Sequence, residues 1–249
     1  MVITGGGGGI GSALARRFAA AGARIVLADV DGDAVVEVAE ETGAVAVVVD
    51  TASETGVGRL VATATDELGA IDLYCANAGV APEGGPEAPE ASWARAWEVN
   101  VMAHVRAAEL LLPAWLARGR GRFLATVSAA GMLTTLGSAP YAVTKHGALA
   151  FAEWLSVTYR HRGITVQALC PQGVRTGMLA GAGPSMRSLV EPTAIDPEEV
   201  ADTVVTALAD DRFLILPHPE VAGYYRAKAA DTDRWIIGMN ALQRKIEGT

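Results

Sequence analysis

Tyr141-Ala142-Val143-Thr144-Lys145 sets a phenol and an ammonium four residues apart, and on a helix that spacing puts both on one face. A phenol ionises near pH 10, and a neighbouring cation favours its phenolate, which moves it toward use as a general base. Taken alone, such a pair is more often a contact on a helix surface. A glycine run far upstream changes that balance. Thr4-Gly5-Gly6-Gly7-Gly8-Gly9-Ile10-Gly11 follows an apolar segment and leads into an apolar-periodic helix over 10–21. A pyrophosphate fits at such a helix start, against unpaired N–H groups and the positive dipole end, provided no Cβ holds the backbone away. Gly5, Gly9 and Gly11 meet that condition.

Asp29 ends the next apolar run, at an offset from the glycines close to the ~20 residues typical of a ribose-binding acid. A carboxylate there accepts hydrogen bonds from both adenosine ribose hydroxyls, and the positive nicotinamide ring would add to the field favouring a Tyr141 phenolate. An NADP 2′-phosphate would instead meet a repulsion of roughly 1–4 kcal/mol. No Lys or Arg lies in the glycine turn or directly after Asp29 to offset it, so the expected cofactor is NAD. The competing reading of Asp29 is a turn-forming aspartate in Asp29-Val30-Asp31-Gly32.

These groups need elements to position them. Short Val- and Ile-rich runs at 24–29, 44–49, 71–76, 122–127, 165–169 and 213–216 read as strands. Helical stretches lie between them at about 31–41, 53–68, 92–117, 140–160 and 197–209. Crossovers of that size imply parallel strands, hence an α/β fold: a Rossmann-type, doubly wound parallel sheet of about seven strands flanked by helices. Ser138-Ala139-Pro140 and Asp196-Pro197-Glu198-Glu199 mark two helix starts. The loops at 82–90 and 172–192 follow strand ends, where an open parallel sheet binds its ligands.

The 249 residues suit a single domain over 1–249, with a substrate loop at about 172–196 and a C-terminal extension at about 217–249. Half the residues are hydrophobic, 51%, which fits a sheet buried on both faces. A formal net charge of −8 argues against nucleic acid and anionic membranes as partners. Cys75 and Cys170 form no disulfide framework, and no segment reads as a signal peptide or membrane span, so a cytoplasmic location is expected. Only three residues precede Thr4, which makes the first strand short and points to native residues ahead of Met1.

The whole chain resembles the short-chain dehydrogenases/reductases of the single-domain type. Thr4 to Gly11, including Ile10, matches the family's T-G-x-x-x-G-x-G, Asn77-Ala78-Gly79 matches its Asn-Ala-Gly, and Asn100, Ser128, Tyr141 and Lys145 match its catalytic set in order and spacing. The resemblance implies hydride transfer between NAD(H) and a secondary alcohol or ketone. Tyr141 would be the acid/base and Ser128 would hydrogen-bond the reacting oxygen. Lys145 would hold the nicotinamide ribose and lower the phenol's pKa, and Asn100 would hold a relay water. Asp50 and Thr51 would meet the adenine, while Asn77, Ala78, Gly79, Pro171, Val174 and Thr176 would line the remaining cofactor site.

One departure stands out. Cys170-Pro171-Gln172-Gly173 carries Gln172 where the family usually has glycine, so a side chain there narrows the pocket or hydrogen-bonds within it, or else points to solvent. Met178, Leu179, Met186 and Leu189 are consistent with an apolar substrate and equally with loop packing. His104, His146, His161 and His218 are scattered without metal spacing, so no metal site is expected. Apolar faces at 107–112 and 149–155 resemble those by which family members form a four-helix interface, implying a homotetramer or a dimer. The alternative is a non-catalytic NAD-binding redox-sensing regulator of the same fold, which the intact Asn-Ser-Tyr-Lys set disfavours.

Overall fold

Alternation of apolar residues along each short run decides which face of a sheet each side chain joins. The strands are β1 (Val2–Thr4), β2 (Val26–Asp29), β3 (Val45–Val48), β4 (Leu73–Ala76), β5 (Gly121–Thr126), β6 (Ile164–Leu169) and β7 (Leu214–Ile215). They form one sheet of order β3-β2-β1-β4-β5-β6-β7, and every pairing is parallel. This computed structural model describes residues 1–248, without the side chains of Ser185 and Met186.

The helices in chain order are α1 (Gly9–Ala20), α2 (Gly32–Thr42), α3 (Glu54–Leu68), α4 (Glu90–Trp97), α5 (Ala103–Arg118) and α6 (Ala130–Leu133). Then come α7 (Ala139–Tyr159), α8 (Gly177–Ala180), α9 (Pro184–Val190), α10 (Pro197–Ala207), α11 (Glu220–Ala230) and α12 (Thr232–Glu247). Val2, Val26, Tyr74, Phe123 and Val166 point to one face and pack with Leu60, Leu111, Ala148 and Leu155. Their neighbours Ile3, Leu27, Cys75, Leu124 and Leu169 point to the other and pack with Leu14, Val35 and Val204. The sheet is thus buried on both sides, as the continuous apolar runs require. Strand order reverses between β1 and β4, which opens a crevice at their carboxyl ends.

Several local expectations hold. The Ser138 hydroxyl accepts from the Tyr141 N–H at 3.3 Å, and Asp196 N–H donates to Glu199 Oε1 at 3.1 Å in a capping box that starts α10. Others change. The single helix expected over 92–117 is three pieces, α4, a π-helical stretch Glu98–Met102, and α5. Asn100 lies in that stretch and its amide is tied to the Val80 backbone, a tertiary constraint that no local periodicity carries. The 172–192 loop holds α8 and α9, and the C-terminal extension is the pair α11 and α12. Among the described residues no helix is long and apolar enough to cross a membrane. Cys75 and Cys170 are buried free thiols.

Candidate active site

The turn between β1 and α1 is shaped by glycines that nothing larger can replace. Gly5 and Gly9 have φ of 65° and 52°, in the left-handed region. A Cβ on Gly11 would lie 1.9 Å from the Gly5 carbonyl oxygen, so the helix start can approach the turn only with glycine there. Beside them Gly8 has nothing within 4 Å of such a Cβ, so the turn faces open space at its tip. This cradle, at the positive end of α1, fits a pyrophosphate. Asp29 organises it: Oδ2 accepts from the Gly7 N–H at 2.9 Å, and Oδ1 accepts from the N–H groups of Val30 at 2.7 Å and Asp31 at 3.2 Å. Asp29 therefore does form a turn, and it lines the cleft as well.

Asn77 and Thr4 fasten the floor. Thr4 Oγ1 accepts from the Asn77 and Ala78 N–H groups at 2.9 and 3.0 Å, and Asn77 Nδ2 donates to the Thr4 carbonyl at 3.0 Å. Asn77 Oδ1 accepts from Thr126 at 3.0 Å, so one side chain links the ends of β1, β4 and β5. Asp50 and the buried Thr51 follow β3. Arg95 on α4 reaches both Asp50 oxygens, at 2.8 and 3.4 Å, and with the Ala52 N–H holds that carboxyl below its ordinary range against the opposing effect of burial.

Tyr141, Ser128, Lys145 and Asn100 converge at the centre. The 82–90 loop steadies the start of α7: the Ala139 N–H donates to the Gly84 carbonyl at 2.8 Å, and Ser138 Oγ donates to Pro82 O. Ser128 lies just past β5, where its Oγ donates to the Pro171 carbonyl at 3.4 Å and accepts from the Ala130 N–H at 3.1 Å. Lys145 is buried, its Nζ donating to the Thr126 carbonyl at 2.9 Å and lying 5.7 Å from the Tyr141 ring centroid. Asn100 Nδ2 donates to Val80 O at 2.9 Å and to Thr144 Oγ1 at 3.0 Å, while Oδ1 accepts from the Val80 N–H at 3.0 Å. A Cβ on Gly79 would stand 3.3 Å from Asn100 Oδ1 and 3.4 Å from Lys145 Nζ, so glycine keeps the space between them open.

The expectation of a lowered phenol pKa is corrected here. Burial pushes Tyr141 above its ordinary value, and the influence of the Ser128 hydroxyl offsets this only in part. Burial also pulls the Lys145 ammonium down to about 8. In the protein alone desolvation outweighs the mutual influence that the four-residue spacing suggested.

Pro171, beside Ser128, and Gln172, Val174 and Thr176 line the cleft with this cluster, together with residues of α8, α9, α11 and α12. All line one cleft of about 980 Å³ with the glycine turn at its other end. Thr176 abuts the turn, its Cγ2 lying 3.0 Å from where a Gly9 Cβ would be. The Gln172 N–H donates to His218 Nδ1 at 3.1 Å, and its Oε1 is buried, so the side chain does not simply point to solvent. Met178, Leu179 and Leu189 line the cleft; the Met186 side chain lies outside the described residues.

Sequence reasoning missed Gly7, Thr126, Gly131, Arg95 and the wall from α11 and α12. Gly131 is informative: a Cβ there would lie 2.6 Å from the Lys145 carbonyl, so glycine lets α6 press against α7 beside Lys145. No local signal marks it, because the contact joins two separate elements.

Comparison with known proteins agrees with this architecture. A 1-deoxy-11-beta-hydroxypentalenate dehydrogenase from Streptomyces exfoliatus is 41% identical, over 94% of this chain and 88% of its own. A cyclohexanol dehydrogenase from an Acinetobacter species is 29% identical, over 91% and 94% respectively. A solved short chain dehydrogenase/reductase from Burkholderia phymatum, in complex with NAD, superposes with a TM-score of 0.86 at 28% identity, covering 93% of each chain. The short chain dehydrogenase family model matches residues 1–186, and the chain belongs to that family of oxidoreductases.

Proposed function

We propose that the chain oxidises an apolar secondary alcohol, or reduces the matching ketone, with NAD, using Tyr141 as acid/base. The observation that carries this reading is convergence: Ser128, Tyr141 and Lys145 line the same cleft as the Gly5–Gly11 turn and Asp29. Bound there, the nicotinamide supplies the hydride acceptor or donor. Gly5, Gly9, Ile10 and Gly11 would hold the pyrophosphate, Asp29 the adenosine ribose, and Asp50 and Thr51 the adenine. Asn77, Ala78, Gly79, Pro171, Val174 and Thr176 would line the remainder. Asp29 is also the reason to favour NAD over NADP, since its carboxylate repels a 2′-phosphate.

In the oxidation direction Tyr141 accepts the hydroxyl proton while Ser128 donates a hydrogen bond to the same oxygen and steadies its developing charge. Lys145 holds the ribose and contributes positive charge. Both Asn100 amide protons are engaged, yet Oδ1 keeps a lone pair on the Lys145 side of Gly79, suited to holding a relay water. Leu133, Met178, Leu179 and Leu189 supply apolar wall, in keeping with the cyclohexanol relative. The working assembly is a homotetramer or dimer, supported by the exposed Leu110, Trp154 and Val157 on α5 and α7, and the working location is the cytoplasm.

Tyr141→Phe tests the reading. Alcohol-dependent NAD reduction falls by about 10²–10⁴-fold, the range for a lost acid/base, while NADH binding measured by fluorescence persists. Unchanged turnover would overturn it.

A further inference from the structure

Charge is unevenly distributed along the cleft. Among the described lining residues the cations are Arg95, bridged to Asp50 at 2.8 Å, and Lys145, bonded to the Thr126 carbonyl at 2.9 Å. Among the described residues the lining contributed from Gln172 onward carries one charged residue, Glu220. Glu220 is half-buried in the first turn of α11. No described residue hydrogen-bonds or ion-pairs with it.

An anion brought against this wall meets a negative charge and finds no cation among its described lining residues to offset its lost hydration, Lys228 of α11 being bonded to the Met132 carbonyl. The wall has neutral hydrogen-bonding capacity instead. Gln172 Oε1 and Trp235 Nε1 are buried without partners among the described residues, and the Gln172 backbone is held by its bond to His218. A side chain at position 172 sits one residue beyond the carbonyl that accepts from Ser128, so its amide belongs to the substrate end of the cleft.

We propose that the substrate is an uncharged alcohol or ketone bearing a further neutral polar group, and that Glu220 is the specificity-determining residue that turns carboxylates away. This rests on the dehydrogenase reading above and narrows it. It also separates the chain from the Streptomyces exfoliatus relative, whose name denotes a carboxylate.

The matched probes are cis-4-hydroxycyclohexanecarboxylate and its primary amide, which share ring and reacting alcohol and differ in charge. Wild type should prefer the amide by about tenfold or more in kcat/KM with NAD. Glu220→Gln should cut that preference at least about threefold, chiefly through KM for the carboxylate, and high salt should narrow the wild-type preference in the same direction. A merely structural role for Glu220 would move both probes together and leave their ratio fixed. Calorimetry of the corresponding keto acid and keto amide on the NAD-loaded protein, a dead-end combination with no hydride to transfer, reads the same preference without turnover. A preferred carboxylate, or a ratio unmoved by Glu220→Gln, overturns the inference and leaves the dehydrogenase reading standing. Binding preference for the amide with no oxidation of either alcohol supports the inference and counts against that reading. Neither turnover nor binding of either pair overturns both.

Discussion

The two ends of the cleft are built differently. At the β1–α1 end the backbone makes the site: glycine conformations, the Gly11 approach to the Gly5 carbonyl, and an Asp29 carboxylate held by three N–H groups. At the far end side chains make it, on short helices and on α12, none of whose described residues is fully buried. The family model ends at residue 186 and so excludes α11 and α12. One end admits almost no variation and sets the chemistry; the other has unpartnered groups and can set which molecule undergoes it.

The contrast breaks most visibly at the rigid end. Gly11→Ala places a methyl 1.9 Å from a backbone oxygen, so NADH binding should be lost and the thermal midpoint should fall, with about 3 kcal/mol or more at stake. Gly8→Ala, three residues earlier and facing open space, should leave the midpoint within about 1 °C by calorimetry, consistent with a change well under 0.5 kcal/mol. Equal damage from both would erase the distinction between a close approach and an open tip.

Lys145→Met comes next, because it separates function from stability at the centre. The Lys145 pKa falls from 10.5 to about 8 in the folded chain, so the folding penalty is full below about pH 8 and fades as pH rises toward 10.5. Removing the amine should stabilise the protein at pH 7 by on the order of 2 kcal/mol, less what the orphaned Thr126 carbonyl costs. It should also flatten the rise in stability between pH 8 and 10.5 and cut turnover by orders of magnitude. Denaturant unfolding across that pH window checks the sign; a less stable variant would contradict it.

A smaller effect is expected at Asp29. Asp29→Ala should shift the NADP-to-NAD ratio of kcat/KM toward NADP by about tenfold, as the repulsion disappears. Binding of NAD itself should weaken, because the Gly7 N–H loses its acceptor. A wild type that already prefers NADP would show that Asp29 only forms the turn.

This division also explains what could be read from the sequence. Strand runs such as 71–76 and 165–169 are legible because both sheet faces are apolar, and the caps at Ser138 and Asp196 are legible because capping is local. The glycine turn and the Tyr141/Lys145 pair are legible for the same reason. The π-helical geometry at Asn100, a residue named through the family resemblance, is not, since it depends on Val80, twenty residues earlier. The helices within 172–192 and α11 lack a continuous apolar stripe, α12 carries one at Trp235, Met239 and Leu242 that the sequence reading did not use, and Gly131 and Glu220 gain meaning only from elements distant in the chain. The burial that raises the Tyr141 pKa in the protein alone was not legible either, because spacing reports a neighbour's charge and says nothing of desolvation.

That phenol is the most direct point of test. Burial holds Tyr141 above its ordinary pKa in the protein alone, so the account requires the positive cofactor to bring the phenolate within reach. Ultraviolet difference titration of the wild type against Tyr141→Phe isolates this one tyrosine. The account predicts a titration above pH 10 without cofactor that moves clearly lower with saturating NAD and is absent from the variant. A Tyr141 titration that NAD leaves unmoved would contradict its assignment as the acid/base.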